Sequence, residues 1–249
     1  SNIDLYIMKK LLSMIIYILV TLSIFVAAFI NLSPQFGTNP TQDQKRLYAN
    51  YSNYKNGEFQ NAEEFVMMTG DMPLSEFFKS DSNRIPNKDL IHESIDLESF
   101  VDAEDHKIKI SWIGHSAFIL NIDGNILLLD PMLGQYAAPV PLPSLKRYSS
   151  KIAFSIDDID IIDAVIFSHD HYDHLDYSTV KQIKNKVKMF FVPYGVANHL
   201  KGWGVRQESI IELNWDESAN FNGIEIVCLP ARHFSGRGPL NRNSTLWCS

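Results

Sequence analysis

The sequence predicts a layered α/β fold in which helices cover a β-sheet. From Lys107 onward, short apolar segments with the two-residue period of strands alternate with helical segments, which is typical of such layers. An apolar hairpin precedes this alternation. The chain has 249 residues, 45% of them hydrophobic, so it holds enough apolar material for one large domain or two small ones.

The N-terminal segment, residues 11–30, is predicted to be a membrane-spanning helix. It runs for 20 residues without a charge, and a helix of that length spans roughly 30 Å, the hydrocarbon core of a bilayer. A cleaved signal peptide is the alternative, but its apolar region usually has about 7–15 residues and ends at a small-x-small site. We favour a retained anchor. Lys9 and Lys10 precede it, so residues 1–10 are expected in the cytoplasm and the rest outside.

Residues 31–105 are predicted to be a tether and N-terminal extension that lies on the main domain and forms no domain of its own. This stretch is polar and is interrupted by four prolines. Short helices are expected around residues 42–51 and 73–79. Residues 106–249 are assigned to the main domain.

The elements of the main domain follow from local patterns. Alternation of apolar and polar residues over residues 107–114 predicts a strand. Residues 116–131, with a turn at Asp123-Gly124-Asn125, predict a β-hairpin. Helices are expected from Ser178 and over residues 194–204. Further strands are expected at residues 162–169, 188–193, 209–213 and 223–233, and a last strand is expected to begin in residues 244–249.

The segment FSHDHYDHLDY carries the strongest chemical signal in the chain. His169 and His171 are two residues apart at the end of a predicted strand, so their imidazoles project the same way and can chelate a metal such as zinc. Asp173 and His174 lie just beyond and can offer ligands to a second metal. His233 follows another apolar strand, and sites in layered α/β folds lie at the carboxyl ends of strands.

A solvated, histidine-rich loop is the alternative interpretation of this segment. A lone histidine is more often a surface or structurally satisfied residue than a ligand, and we interpret His92, His106 and His199 in that way. Three histidines and an aspartate in an HxHxDH pattern directly behind a strand, with a later histidine at a strand end, instead favour metal binding.

The HxHxDH pattern resembles the signature of the metallo-β-lactamase superfamily. The longer HDHYDHLDYSTV resembles the branch that contains N-acyl-phosphatidylethanolamine-hydrolysing phospholipase D. Six motifs follow the family's order between Trp112 and Ser249: WIGHSAFIL, LLLDPML, AVIFSHDHYDHLDY, FVPYGV, LPARHFSGRG and NSTLW. The N-terminal part, including SPQFG, is similar to bacterial membrane-anchored members. The resemblance implies an αββα sandwich, preceded here by the transmembrane helix.

The resemblance also implies the metal ligands. His169, His171 and His233 would bind one zinc ion. Asp173, taken as the catalytic carboxylate, and His174 would bind a second one. The implied nucleophile is a hydroxide held by the two metals, which also stabilise the developing oxyanion.

Asp130 and His115 match positions near the family's site, and Arg237, Tyr172 and Tyr177 lie within the matching motifs. Asp130 would be a carboxylate behind the ligands that steadies the ligand loop; a simple turn residue is the alternative. His115 would lie behind the ligands or face the substrate, with a structural hydrogen bond as the alternative. Arg237 would approach an anionic substrate or point into solvent, and Tyr172 and Tyr177 would pack and orient the loop.

In the family, a bridging aspartate on a later strand and one further histidine complete the pair of metals. After His233 the chain contains no Asp, Glu or His. We therefore expect a C-terminally truncated member with an incomplete sandwich. It would hold one zinc through three histidines, with a weak second site and low activity.

The leading functional hypothesis is a zinc-dependent phosphodiesterase of the phospholipase D-like branch. A lactonase or other ester hydrolase, or a non-catalytic metal-binding protein of the envelope, are the alternatives. The anchor fits a lipid phosphodiester substrate. A net charge of -7 without a basic stripe argues against a nucleic-acid partner, and two cysteines are too few for a disulfide framework.

Overall fold

The computed structural model describes residues 2–64, 86–90, 93–102, 108–149 and 151–249. The helices are α1 (Asn2–Leu32), α2 (Gln42–Tyr48), α3 (Leu97–Val101), α4 (Tyr177–Ile183) and α5 (Ala197–Gly202). The strands are β1 (Tyr54–Lys55), β2 (Glu58–Phe59), β3 (Ile108–Gly114), β4 (Ala117–Ile122), β5 (Asn125–Leu129), β6 (Ile162–Ile166), β7 (Val187–Pro193), β8 (Ile210–Leu213), β9 (Ser218–Phe221) and β10 (Ile224–Val227). The helix expected at residues 73–79, and His92 and His106, lie outside the described residues.

Strands β3 to β8 form one mixed sheet in chain order. β3, β4 and β5 pair antiparallel, whereas β5, β6, β7 and β8 pair parallel. Because β3 and β5 both run opposite to β4, the carboxyl ends of β3, β5 and β6 lie at the same edge of the sheet. The candidate site is built at this edge.

The turn between β4 and β5 is the hairpin turn that the sequence predicts. Ile122 pairs with Asn125, so Asp123 and Gly124 occupy the two central positions. Their φ angles are 48° and 81°, and a type I′ turn requires positive φ at both positions. Glycine has no Cβ to resist this conformation, and aspartate tolerates it better than most residues.

Apolar side chains cover both faces of the sheet. On one face, the main core includes Val165 and Phe190 of the sheet together with Val180 of α4 and Leu200 of α5. On the other face, Leu127, Ala164 and Phe191 pack against hydrophobic side chains of the β9–β10 hairpin. The predicted α/β fold is confirmed, and the described residues supply the helix layer, the central sheet and part of a second sheet.

The N-terminal extension shares a core cluster with the main domain. Tyr48, Tyr54 and Phe59 are buried together with Leu246 and Trp247. Because Phe59 is fully buried, this contact holds the extension firmly. Residues 31–105 are mostly polar, so their composition does not indicate that these few aromatic side chains are buried.

Helix α1 contains a segment, Leu5–Leu32, that is long and apolar enough to cross a bilayer. Its large hydrophobic side chains are exposed along most of its length. A membrane anchor and a signal sequence both have this length and composition, so the helix does not fix the side of the membrane on which the domain lies.

The sequence prediction is wrong in three details near the end of the chain. The strand expected over residues 223–233 ends at Val227, and β9 precedes it, although its sequence SANF has little strand character. Residues 244–249 form no strand in the described structure. They extend across the domain instead, where Leu246 N–H donates to Tyr194 O and Ser249 exchanges two backbone hydrogen bonds with Leu229.

Candidate metal centre

Three strands of the central sheet end at the candidate site. β3 leads to His115, β5 leads to Asp130, and β6 leads to the loop of residues 169–174. His115 and Asp130 have positive φ angles, 44° and 42°. Such a backbone costs a residue with a side chain roughly 1–2 kcal/mol, so the surrounding structure has to hold it.

His169, His171 and His233 point three imidazole nitrogens at one another. His169 Nε2 lies 3.0 Å from His171 Nδ1, and His233 Nε2 lies 3.1 Å and 3.2 Å from those two atoms. A tetrahedral metal with bonds of about 2.0–2.1 Å to histidine separates its nitrogens by about 3.3 Å. The three residues therefore fit a zinc ion in donor type and in spacing.

The protonated, positively charged form of the same three histidines is disfavoured. Burial, together with the neighbouring histidines His174, His171 and His233, lowers the pKa of His169 to about 2. Burial also lowers the pKa of His171 and of His233. At neutral pH their nitrogens therefore carry lone pairs, which is the form that binds metal.

Asp130 and Ser168 fix the orientation of two of these rings. Asp130 is buried, and its carboxylate accepts hydrogen bonds from Ser168 N–H (2.7 Å), Ser168 Oγ (2.5 Å) and His174 Nδ1 (2.8 Å). Because the Ser168 hydroxyl donates to Asp130, it accepts from His169 Nδ1 at 2.9 Å. This arrangement leaves Nε2 of both His169 and His174 for other ligands.

A second group of donors lies beside the first. His115 Nε2 is 2.9 Å from Asp173 Oδ2, and His174 Nε2 is 3.8 Å from the same oxygen. Asp173 and His115 are 40% and 55% exposed, so this group opens to solvent. Burial opposes the charged form of His174, but the hydrogen bond and charge of Asp130 outweigh it and raise the pKa of His174.

Asp170, between two of the histidines, ties the loop to the core. Its Oδ1 accepts from Gly236 N–H at 2.7 Å, and its Oδ2 accepts from Thr245 Oγ1 at 2.9 Å and faces His199 Nε2 at 3.3 Å. His199 Nδ1 accepts from Thr38 N–H at 2.8 Å, so Nε2 carries the proton. Burial opposes the Asp170 charge, but His199 and Gly236 outweigh it and hold its pKa below the ordinary value.

Arg237 is neither substrate-facing nor exposed to solvent, which corrects both alternatives from the sequence. Only 2% of it is exposed. Its guanidinium donates to the carbonyl oxygens of Asp170, Leu175 and Gln35 and lies 4.1 Å above the ring of Tyr172. Arg237 therefore holds the ligand loop from behind.

Of the residues proposed from the sequence, the structure brings together the five proposed ligands, Asp130 and His115. Their assignment as ligands and supporting residues remains a prediction. The sequence missed Ser168, Asp170 and Asn61, whose side chain bonds to the backbone of His233. Ser168 and Asp170 adjoin the histidines and could have been suspected. Asn61 lies 172 residues before His233 in a polar stretch, and no sequence pattern there indicates a role in the site.

Comparison with known proteins points to one family. The family model described as “Beta-lactamase superfamily domain” matches residues 125–249, which is half of the chain. This range contains the histidine cluster and most of the central sheet.

Three relatives show which kinds of protein are similar. An uncharacterized protein of Mycobacterium tuberculosis is 43% identical over 144 residues, 57% of this chain and 38% of the relative. The N-acyl-phosphatidylethanolamine-hydrolyzing phospholipase D 1 of Caenorhabditis elegans is 31% identical over 213 residues, 78% of this chain and 59% of that protein. A UPF0173 metal-dependent hydrolase of Methanopyrus kandleri is 33% identical over 128 residues, 51% of this chain and 48% of that protein. The chain thus spans less than two thirds of each relative.

Proposed function

Because the chain belongs to the metallo-β-lactamase superfamily, we propose that it is a zinc-dependent hydrolase that cleaves phosphodiesters at a membrane surface. The observation that carries the proposal is the convergence of three neutral imidazole nitrogens, 3.0–3.2 Å apart, at one edge of the sheet. Such a set has little use without a cation, since the three lone pairs repel one another.

The two groups of donors would have different affinities. His169, His171 and His233 offer three converging nitrogens. Three such ligands suit one tightly held zinc whose fourth coordination position is free for water or substrate. His115, Asp173 and His174 offer two nitrogens and a carboxylate and are partly exposed, so they would hold a second ion more weakly. His115 thus supplies a donor that the sequence assigned only to the surroundings of the site.

Bound zinc would supply a nucleophilic water at neutral pH and would polarise the phosphoryl oxygen. The residues around it have distinct tasks. Asp130 keeps Nδ1 of His174 occupied, and through Ser168 it keeps Nδ1 of His169 occupied, so the ligand atoms stay oriented. Asp173 is partly exposed next to the site, and while the second donor group holds no ion its carboxylate would accept the proton of the attacking water.

The substrate class rests on the phospholipase relative and on α1. The name of the C. elegans relative specifies hydrolysis of N-acyl-phosphatidylethanolamine, a phosphodiester that resides in membranes. Helix α1 would retain the domain at the bilayer. We propose the extracytoplasmic face, because Lys9 and Lys10 precede the apolar stretch.

The test begins with the 249-residue chain in detergent, stripped of metal and then titrated with Zn²⁺. We expect one tightly bound equivalent by elemental analysis, and its loss in His169→Ala. The zinc-loaded chain is then given N-acyl-phosphatidylethanolamine in mixed micelles, with release of N-acylethanolamine followed by mass spectrometry. Asp160→Ala serves as a control, because Asp160 is exposed near the start of β6, at the opposite edge of the sheet.

Two results would contradict the proposal. One is a wild-type chain that retains no zinc against a weak chelator. The other is a His169→Ala variant that hydrolyses the phosphodiester as fast as wild type. Hydrolysis of a lactone without hydrolysis of the phospholipid would replace the phosphodiesterase assignment by the ester-hydrolase alternative.

A further inference from the structure

We infer that Asn61, in the N-terminal extension, is a positioning residue for the metal ligand His233. This inference rests on the proposed function, because it takes His233 to be a zinc ligand. The Asn61 side chain donates through Nδ2 to His233 O at 2.8 Å and accepts through Oδ1 from His233 N–H at 3.0 Å. One amide thus bonds to both backbone groups of the ligand.

The backbone around His233 has few other attachments. Strand β10 ends at Val227, and His233 belongs to no strand in the described part of the chain. On one side, Leu229 exchanges two hydrogen bonds with Ser249, and Ala231 O accepts from Trp247 Nε1 at 2.8 Å; on the other, Asn243 N–H donates to Ser235 O. Asn61 therefore holds the middle of an irregular span whose ends are fixed elsewhere, much as a neighbouring strand would hold it.

Asn61 is itself well fixed. It follows Phe59, which is fully buried and whose N–H donates to Asn243 O at 2.9 Å. Gln60 N–H donates to Asn53 O at 2.8 Å. Because both preceding residues are bonded, the backbone that carries the Asn61 side chain is held next to His233.

This position matters because the other two ligands are supported differently. His169 is held by its Ser168 contact, and both His169 and His171 flank the buried Asp170. His233 comes from a distant segment, and its Nε2 must remain within 3.1–3.2 Å of the other two nitrogens. Partners that bond to the side chain of a ligand typically change metal affinity by about 10–100-fold, and we take this range for Asn61, which orients His233 through its backbone.

The test compares Asn61→Ala and Asn61→Asp with Asn53→Ala in the full chain. Asn53 is the matched control, because it is an amide in the same extension that bonds to Asn214 and not to His233. Zn²⁺ affinity is measured by chelator competition, the visible spectrum of bound Co²⁺ reports ligand geometry, and thermal unfolding of the metal-free protein reports stability.

We expect Asn61→Ala to bind Zn²⁺ about 10–100-fold more weakly and to alter the Co²⁺ spectrum. Asn61→Asp keeps the acceptor for His233 N–H but places a carboxylate oxygen against His233 O, so it should also bind Zn²⁺ more weakly than wild type. Asn53→Ala should bind metal as wild type does, even if it unfolds at a lower temperature. Wild-type affinity in Asn61→Ala, or an equal loss in Asn53→Ala, would overturn the inference. A wild-type chain without zinc would overturn the proposed function as well.

Discussion

Asp130 is the residue on which most of the candidate site depends. Its carboxylate bonds to Ser168 and His174, and through Ser168 it reaches His169. It therefore orients one histidine in each of the two donor groups. The positive φ at Asp130 aims the carboxylate into the site at the point where β5 ends.

Asp130→Asn should weaken zinc binding about 10–100-fold. An amide keeps the shape but has one acceptor oxygen instead of two, so Ser168 and His174 compete for it. The lost charge also removes the group that raises the pKa of His174. Isothermal titration with Zn²⁺ measures the effect, with Asp160→Asn as the control. Unchanged affinity would mean that Asp130 serves only the turn after β5.

The metal-free protein should lose stability as the pH falls below about 6.5. His169 has a pKa of about 2 in the folded chain, against an ordinary value of 6.5 in the unfolded chain. Below pH 6.5 His169 therefore binds a proton in the unfolded chain but not in the folded chain, and folding becomes less favourable. The contribution of His169 is about 1 kcal/mol between pH 6.5 and 5.5.

Urea unfolding in the presence of a chelator, from pH 7.5 to 5.5, measures this loss. His169→Asn should flatten the slope, because it removes the group that titrates. If wild type and variant show the same dependence on pH, the neutral, buried state of His169 is wrong.

Among the elements, the N-terminus of α4 shows how one cap connects two parts of the fold. Asp176 accepts from the backbone N–H groups of Ser178 and Thr179, as an N-cap does. Its Oδ2 also accepts from Gly134 N–H at 3.1 Å, in the loop after β5. A Cβ on Gly134 would lie 2.5 Å from that oxygen, so this close approach requires glycine.

Asp176→Ala should lower the free energy of unfolding by about 1–2 kcal/mol, the usual cost of a lost N-cap. The loop after β5 should loosen as well, because Gly134 loses its partner. Chemical denaturation checks the first effect, and hydrogen exchange at Gly134 checks the second. Asp160→Ala should leave both quantities unchanged, and an equal loss there would exclude a specific cap.

The sequence predicted helices and strands better than it predicted the side-chain contacts that join distant segments. The hairpin turn at Asp123-Gly124 and the buried β6 follow from local patterns, so they were predictable. Arg237 was misjudged, because nothing in HFSGRG shows that its partners are carbonyl oxygens far along the chain. Asn61 was missed for the same reason. Contacts between segments distant in sequence depend on the folded arrangement, which a single sequence does not display.

For the whole molecule, the extension and the main domain should behave as one folding unit. Removing residues 1–32 leaves the aromatic cluster of Tyr48, Tyr54 and Phe59 intact and should give a folded chain that binds zinc. Removing residues 1–61 exposes Leu246 and Trp247 and takes away Asn61. Burial of each large aromatic contributes roughly 1.5–3 kcal/mol, so this second variant should fold poorly.

Circular dichroism and zinc titration of the two truncated chains check this expectation. The shorter truncation acts as the control, because it removes α1 and keeps the contacts that Tyr48, Tyr54, Phe59 and Asn61 make with the main domain. If the chain without residues 1–61 unfolds cooperatively at the same temperature as the longer chain, the extension is only a tether.

The linker between α1 and the domain is very short. Ser33 alone separates Leu32, the end of α1, from Pro34, whose carbonyl oxygen accepts from Trp203 Nε1 at 2.8 Å. The next carbonyl, that of Gln35, accepts from Arg237. With α1 inserted in a bilayer, the edge of the sheet that carries the candidate site would stay at a nearly constant height above the lipid. Its encounters would then be governed by the surface density of molecules that diffuse in the membrane plane, and much less by their concentration in the surrounding water.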